Sequence, residues 1–232
     1  DVDGAAPDDV WAVGAYTTGR GLQAARILHW DGRQWAQVAS PELASSEYNL
    51  LGVSALSATD AWAVGTRTED GRTRTLVEHW DGQSWSVLPS PNTSHPENIL
   101  YSVVAVARDD VWAAGRDGIA GDARPLMLHW NGSNWSNVEL PRVNARMAEL
   151  LSVDIVPGTG EVWTVGTYAD RNLALRYVPC TAGEGTPGGG IPGMPRTGVE
   201  DAGTLQLRAV ASAAYDAIAS IFALLKHSQG LS

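Results

Sequence analysis

The chain has 232 residues, 44% of them apolar and 10 of them Trp, with 16 Lys and Arg against 26 Asp and Glu for a formal net charge of −10. That is enough apolar material for one sizeable core, and no basic run interrupts the acidic surface, so a phosphate backbone would be repelled and nucleic-acid binding is excluded. The single cysteine, Cys180, allows no internal disulfide.

The first residues, D-V-D-G-A-A-P-D-D, hold neither a basic start nor an apolar stretch of the export-signal kind. This predicts either a cytosolic protein or one whose signal has been removed. A short motif then recurs: D-V-W-A-V-G at Asp9–Gly14, D-A-W-A-V-G at Asp60–Gly65, D-V-W-A-A-G at Asp110–Gly115 and E-V-W-T-V-G at Glu161–Gly166. Trp11, Trp62, Trp112 and Trp163 therefore follow one another at steps of 51, 50 and 51 residues. A second motif keeps the same beat, with H-W-D-G-R-Q-W from His29, H-W-D-G-Q-S-W from His79 and H-W-N-G-S-N-W from His129. A fixed period of roughly 40 to 50 residues is the signature of a propeller or solenoid.

The complete unit reads as four strands. Leu50–Leu56 alternates apolar and smaller residues, A-T-D turns it into Ala61–Thr66, and a polar loop, T-E-D-G-R-T-R, leads to Thr75–Trp80. Asp81-Gly82 is a strong hairpin signal into Ser84–Leu88, which Pro89 and Pro91 end. Short strands at even spacing predict an all-β propeller of about four four-stranded antiparallel blades packed face to face. Trp62 and Val64 then share one face of a blade, and the small Ala61 and Ala63 lie on the other. The repeat residues expected to hold the blades are Trp11, Trp62, Trp112 and Trp163 on second strands, and Trp30, Trp80 and Trp130 on third strands. Trp35, Trp85 and Trp135 on fourth strands and the turn residues Asp31, Asp81 and Asn131 complete the set.

On this reading the chain opens at a second strand and closes with Leu173–Cys180 as the third strand of a fourth unit, so both terminal blades are incomplete. Three arrangements satisfy that count: a small ring with two three-stranded blades, an arc of a larger ring, or blades completed by another molecule. After Cys180 the composition becomes Gly- and Pro-rich, and residues 181–203 read as a flexible linker. Residues 204–232 read as a helix whose stripe runs through Leu207, Val210, Ala211, Ala214, Ile218, Ile221, Phe222 and Leu225, with Thr204 as cap. Asp216 interrupts it, which argues against a membrane span and leaves membrane-surface contact or docking.

Equivalent positions of successive blades are related by rotation about the propeller axis, so His29, His79 and His129 should lie apart and hydrogen-bond within their own blades rather than converge on a metal. No metal or cofactor is expected. Asp9, Asp60, Asp110 and Glu161 recur once per unit in one environment, unlike a catalytic acid pair, and turn chemistry is their expected role.

The W-A-V-G and W-D-G-x-x-W repeats over residues 1–180 resemble bacterial secreted β-propeller repeats related to the Asp-box of sialidases and to photosystem assembly propellers, and more loosely kelch. One residue fewer between Asp and Gly separates them from the Asp-box pattern S-x-D-x-G-x-x-W. That resemblance implies, for a sialidase, an arginine triad, a tyrosine nucleophile paired with a glutamate, and an acidic proton donor. The sequence assigns none of them; Arg67, Arg72 and Arg74 are scattered over a loop. In the tail, Met194-Pro195-Arg196-Thr197-Gly198 resembles a sortase sorting signal, although Glu200 and Asp201 follow it.

The expected function is a non-enzymatic extracellular or cell-surface module. Its protein or glycan ligand would meet the loops between second and third strands, Ala15–Ala25, Thr66–Arg74 and Arg116–Arg124. The alternatives are a structural subunit assembling through incomplete blades and the tail helix, and a sialidase-like carbohydrate-active enzyme.

Overall fold

The computed structural model describes residues 1–43, 47–119, 121–140, 147–169 and 171–177. Cys180, the linker, the expected tail helix and the motif from Met194 to Gly198 lie outside the described residues. The described chain is all-β. Its first sheet is β1 (Val2–Ala6), β2 (Asp9–Thr17), β3 (Gln23–Trp30) and β4 (Trp35–Val38). The second is β5 (Tyr48–Ser57), β6 (Asp60–Glu69), β7 (Arg72–Trp80) and β8 (Trp85–Val87). The third is β9 (Asn98–Ala107), β10 (Asp110–Asp117), β11 (Arg124–Trp130) and β12 (Trp135–Asn137), and the fourth is β13 (Ala148–Val156), β14 (Glu161–Tyr168) and β15 (Arg171–Tyr177). Each is an antiparallel meander of neighbouring strands, which is the blade architecture the period predicts.

Two details differ from the sequence reading. The first blade does not lack its first strand: β1 pairs with β2 from Val2↔Ala12 to Ala6↔Asp9. D-V-D-G-A-A has no apolar alternation to betray a strand, and β1 is 5 residues long where β5 and β9 are 10. The stretch Thr66–Arg74 is not a loop. Strand β6 runs on to Glu69 and β7 starts at Arg72, joined by Asp70 and Gly71 at φ 50° and 70°, a two-residue hairpin turn that D-G chemistry favours.

The core is a series of interfaces between blades. Trp11, Val13, Ala25 and Ile27 of the first blade pack on Leu50, Val53, Ala61, Ala63, Leu76 and Trp85 of the second. Trp62, Val64 and Val77 repeat this against Leu100, Val103, Val111, Ala113, Leu126 and Trp135, and Trp112, Ala114 and Met127 against Leu150, Val153 and Val162. Trp62 and Val64 thus share one face of their blade and Ala61 and Ala63 the other, as the alternation predicts. Burying one indole removes about 150–250 Å² from water, an upper estimate of roughly 4–6 kcal/mol. Near the axis, first strands are tied by side chains: the Asp1 and Asp3 carboxylates accept from Val53 and Ala55 N–H at 3.0 and 2.8 Å, Ser54 Oγ from Ala105 N–H at 3.1 Å, and Ser102 Oγ from Val153 N–H at 3.2 Å.

The glycine of W-A-V-G serves close approach. A Cβ at Gly65, Gly115 or Gly166 would sit on the carbonyl oxygen of Asn49, Ile99 or Glu149, where the adjoining first strand bulges. At Gly14, beside the short β1, a Cβ would meet nothing within 4 Å. Glu78 also breaks the pattern. It occupies the place of Leu28 and Leu128, fully buried between the first two blades, with Ser40 Oγ donating to it at 3.0 Å. Burial pushes its carboxyl from 4.5 up to about 7, and the Ser40 hydrogen bond opposes this only in part.

Gly115→Ala is expected to lower stability in urea by about 1–3 kcal/mol and Gly14→Ala to change it by less than about 1 kcal/mol; equal effects would refute the close-approach account. Because folding raises the Glu78 pKa, the native state holds a proton that the unfolded chain has lost between pH 4.5 and about 7. Its contribution is therefore intact at low pH and is lost as pH rises through that window, to a total on the order of 3 kcal/mol. Glu78→Gln should be more stable than the parent at pH 8, with the difference vanishing towards pH 4.5; a gap independent of pH would contradict it.

Candidate functional site

Each blade has two ends. The turns between strands 1 and 2 and between strands 3 and 4 make one of them, and it is occupied by hydrogen bonds within the repeat. Asp60 Oδ1 accepts from Trp62 Nε1 and pairs with His79 Nε2, both at 2.9 Å, while Arg108 of the next blade donates to Oδ2 at 3.1 Å. Asp110 does the same with Trp112 at 2.7 Å and His129 at 2.8 Å, and Asp9 pairs with His29 at 2.6 Å. In the fourth blade Glu161 accepts from Trp163 at 3.3 Å and from Arg176 at 2.7 Å. Asp60 and Asp110 therefore anchor an indole and an imidazole, Asp9 an imidazole alone and Glu161 an indole and a guanidinium, where the sequence suggested turn formers. Their carboxylates reach across the hairpin because strand pairing places Trp62 opposite His79.

The imidazoles stack on the same tryptophans, with ring centroids 4.2–4.3 Å apart in the first three blades. Each histidine is thus held within its own blade. Asp31, Asp81 and Asn131 do form the turns: Asp31 and Asp81 Oδ1 each accept two backbone N–H groups at 2.8–2.9 Å, from the residues two and three ahead, and Asn131 does so at 3.0–3.1 Å. The N–H of Ser84, then that of Gln83, holds the Asp81 carboxyl below the ordinary carboxylate range. Trp30, Trp80 and Trp130 donate to the carbonyls of Pro7, Ala58 and Arg108 at 3.1–3.3 Å, which closes this end.

The other end carries the turns between strands 2 and 3. Of the three stretches expected to bind, Ala15–Ala25 forms a cleft of ≈ 550 Å³ lined by Tyr16, Thr18, Arg20, Leu22, Gln23 and Tyr48. Its loop is held by internal bonds: Thr18 N–H to Leu22 O at 2.8 Å, Gly21 N–H to Thr18 O at 2.9 Å, and Gln23 Nε2 to Thr17 Oγ1 at 3.0 Å. The Arg26 guanidinium lies 4.6 Å over the Tyr16 ring. Burial, followed by the negative field of Glu78, raises the Tyr48 hydroxyl pKa, so this phenol stays a neutral donor and acceptor.

The remaining two stretches behave differently. Thr66–Arg74 is a tight hairpin, and in Arg116–Arg124 the arginine is already committed: Arg116 donates to Tyr101 Oη at 2.9 Å, to Glu97 at 2.8 Å and to Gly118 O, with Glu149 of the next blade 3.7 Å away. Sequence reasoning reached the Tyr16 loop but missed Tyr48 and Glu78. Both stand where the repeat is broken, Tyr48 at a place occupied by Asn98 and Ala148 in later units and Glu78 at a leucine position; that departure was the available signal. Among the described residues, no group of three or more His, Cys, Asp or Glu side chains is arranged to hold a metal ion, and no helix is long and apolar enough to cross a membrane.

No protein-family model and no curated protein sequence matches the chain. Solved structures similar to it include YCF48 bound to D1 peptide, at 18% identity over 78% of this chain and 51% of that one with a TM-score of 0.47. Others are fructan 1-exohydrolase IIa from Cichorium intybus in complex with 1-kestose, at 9% identity over 78% and 42% with a TM-score of 0.50, and the Bombyx mori GH32 beta-fructofuranosidase BmSUC1 in complex with sucrose, at 11% identity over 77% and 45% with a TM-score of 0.43. The chain spans about half the length of each of these structures or slightly less. They are β-propeller proteins that include both a peptide-bound protein and glycoside hydrolases, and at 9% identity the likeness to the fructan 1-exohydrolase is one of fold. The stacked antiparallel sheets of this chain are β-propeller blades.

Proposed function

We propose that this chain is a non-enzymatic binding module of the extracellular space or cell surface, and that it receives its ligand in the Tyr16–Tyr48 cleft. The observation that supports the reading is the contrast between the two ends of the blades. At one end the repeated acids and histidines are paired, three indoles donate to those acids and three more to backbone carbonyls. At the other, Tyr16 and Leu22 are solvent-exposed in a cleft that Arg20, Gln23 and Tyr48 also line. Two phenol rings, an apolar side chain and convergent donors suit a ligand with a flat apolar face and acceptor oxygens, such as a sugar ring or an aromatic side chain of a protein. The loop departs from the repeat, as a recognition surface does on a regular scaffold.

The test is a screen of the full chain against a glycan array and a peptide library, followed by titration of each hit. Tyr16→Ala and Arg20→Ala are expected to weaken a true ligand by about tenfold or more each, roughly 1.4 kcal/mol. Arg171→Ala, on the fourth blade, should leave affinity unchanged. Ligands that bind all three variants alike would place the site elsewhere, and release of cleaved product from any hit would replace the binding reading with an enzymatic one.

A further inference from the structure

Among the described residues, two blade faces have no blade against them, and the three interior interfaces show what such faces are built to meet. At each of the first two interfaces the strand-two tryptophan lies beneath a pair of indoles from the following blade. Trp11 meets Trp80 and Trp85 with centroids 5.0 and 5.1 Å away, and Trp62 meets Trp130 and Trp135 at 5.3 and 5.6 Å. At the third, Tyr177 stands in for the first indole of the pair, 4.3 Å from Trp112.

The outward face of the first blade carries the same pair. Trp30 and Trp35 lie 5.8 Å apart at 48°, against 6.0 Å and 43–45° for Trp80–Trp85 and Trp130–Trp135, so the pair is already set in its interface geometry. Trp35 is 47% exposed where Trp85 and Trp135 are 5%, and Val2 is 61% exposed where its equivalents Val53 and Val103 are 3% and 5%. The outward face of the fourth blade carries the opposite half: Trp163, anchored by Glu161, and Val165, 48% exposed where Val13 and Val64 are 7% and 0%.

Polar groups match as well. Ser152 and Asp154 on β13 hold the places of Ser102 and of Ser54 and Asp3, whose oxygens receive N–H groups from the first strand of the following blade. In β1 the equivalent N–H groups are those of Val2 and Gly4. Arg26 and Arg176 mark the difference from the interior: they replace Leu76 or Leu126 and a histidine, and keep the free faces hydrated.

We propose that the fourth blade of one copy of this chain seats against the first blade of a second copy, with Trp163 beneath the second copy's Trp30 and Trp35 as Trp62 lies beneath Trp130 and Trp135. The contact is heterologous, head to tail. Repeated through both faces, such a contact closes into a ring or continues as an open series of copies.

Light scattering on the full 232-residue chain should return twice the mass of one chain or a longer concentration-dependent series. Trp35→Glu and Val165→Glu each break one half of the contact, and each alone should be a monomer with the near-ultraviolet signature of the interior tryptophans unchanged; Val2→Glu is the second test of the first-blade half. Mixing Trp35→Glu with Val165→Glu restores one intact pairing of faces, so a 1:1 complex should form. A monomeric parent chain, variants that associate like the parent, or no complex on mixing would each overturn the proposal. A monomer whose Trp35 indole resists hydrogen exchange would assign the cover to another part of the same polypeptide and overturn it too.

Discussion

The structure depends on one repeated contact, a strand-two indole wedged between its own blade and the next. A four-stranded blade on its own has two flat faces and too little apolar surface on either to offset the entropy of ordering about fifty residues. Trp11, Trp62 and Trp112 change this by filling the space between sheets, each fully buried and each met by aromatic rings of the following blade. The small residues of the W-A-V-G strand are the counterpart. Ala61, Ala63 and Ala113 let the neighbouring tryptophan approach, and the terminal glycine lets the first strand bulge against the second. One six-residue motif therefore supplies wedge, socket and close approach on the two faces of a single strand.

Anchoring the wedge requires polar groups, because a buried indole N–H without an acceptor costs stability. The acid two residues before each tryptophan provides the acceptor for Trp62, Trp112 and Trp163, and the histidine or arginine opposite bonds the same carboxylate and lies over the indole. Among the described residues, the buried indole nitrogens of Trp11, Trp85 and Trp135 have no hydrogen-bond partner, so the acid's anchoring reaches only the strand-two tryptophans of the later blades. This concentration of polar side chains at one end of the blades leaves the opposite end to vary, and there the chain departs from its own repeat at Tyr16, Tyr48 and Arg116. Conformity to the period serves packing; departure from it concentrates near the cleft and the buried acid.

How much of this could be read beforehand depended on whether a residue's partner was near in sequence. The D-G and N-G turns at Asp31, Asp81 and Asn131, the alternation that puts Trp62 and Ala61 on opposite faces, and the confinement of each histidine to its blade all follow from contacts within one hairpin. Strand β1 escaped notice because D-V-D-G-A-A has no apolar rhythm; it is a strand because Asp1 and Asp3 reach Val53 and Ala55 of the next blade. The Asp70-Gly71 turn was legible from its dipeptide alone and was obscured by the polar residues around it, which lie on strands at the solvent-exposed end of the blade. The role of Asp60 was hidden for another reason: its carboxylate bonds side chains 2, 19 and 48 residues away, and turn chemistry explains an aspartate at that place equally well.

The amino-acid order by itself determined the repeating unit, its four-strand meander, the sense of each face and the residues that would hold it, since strand periodicity and turn preference act over a few residues. The tertiary structure alone decided which tryptophan meets which, that Glu78 lies dry between two blades, that Arg116 is bound by Glu97 and Tyr101, and that Tyr48 joins Tyr16 around one cleft. Those relations arise between blades roughly fifty residues apart, where burial and side-chain reach are set by how the sheets stack rather than by any local pattern.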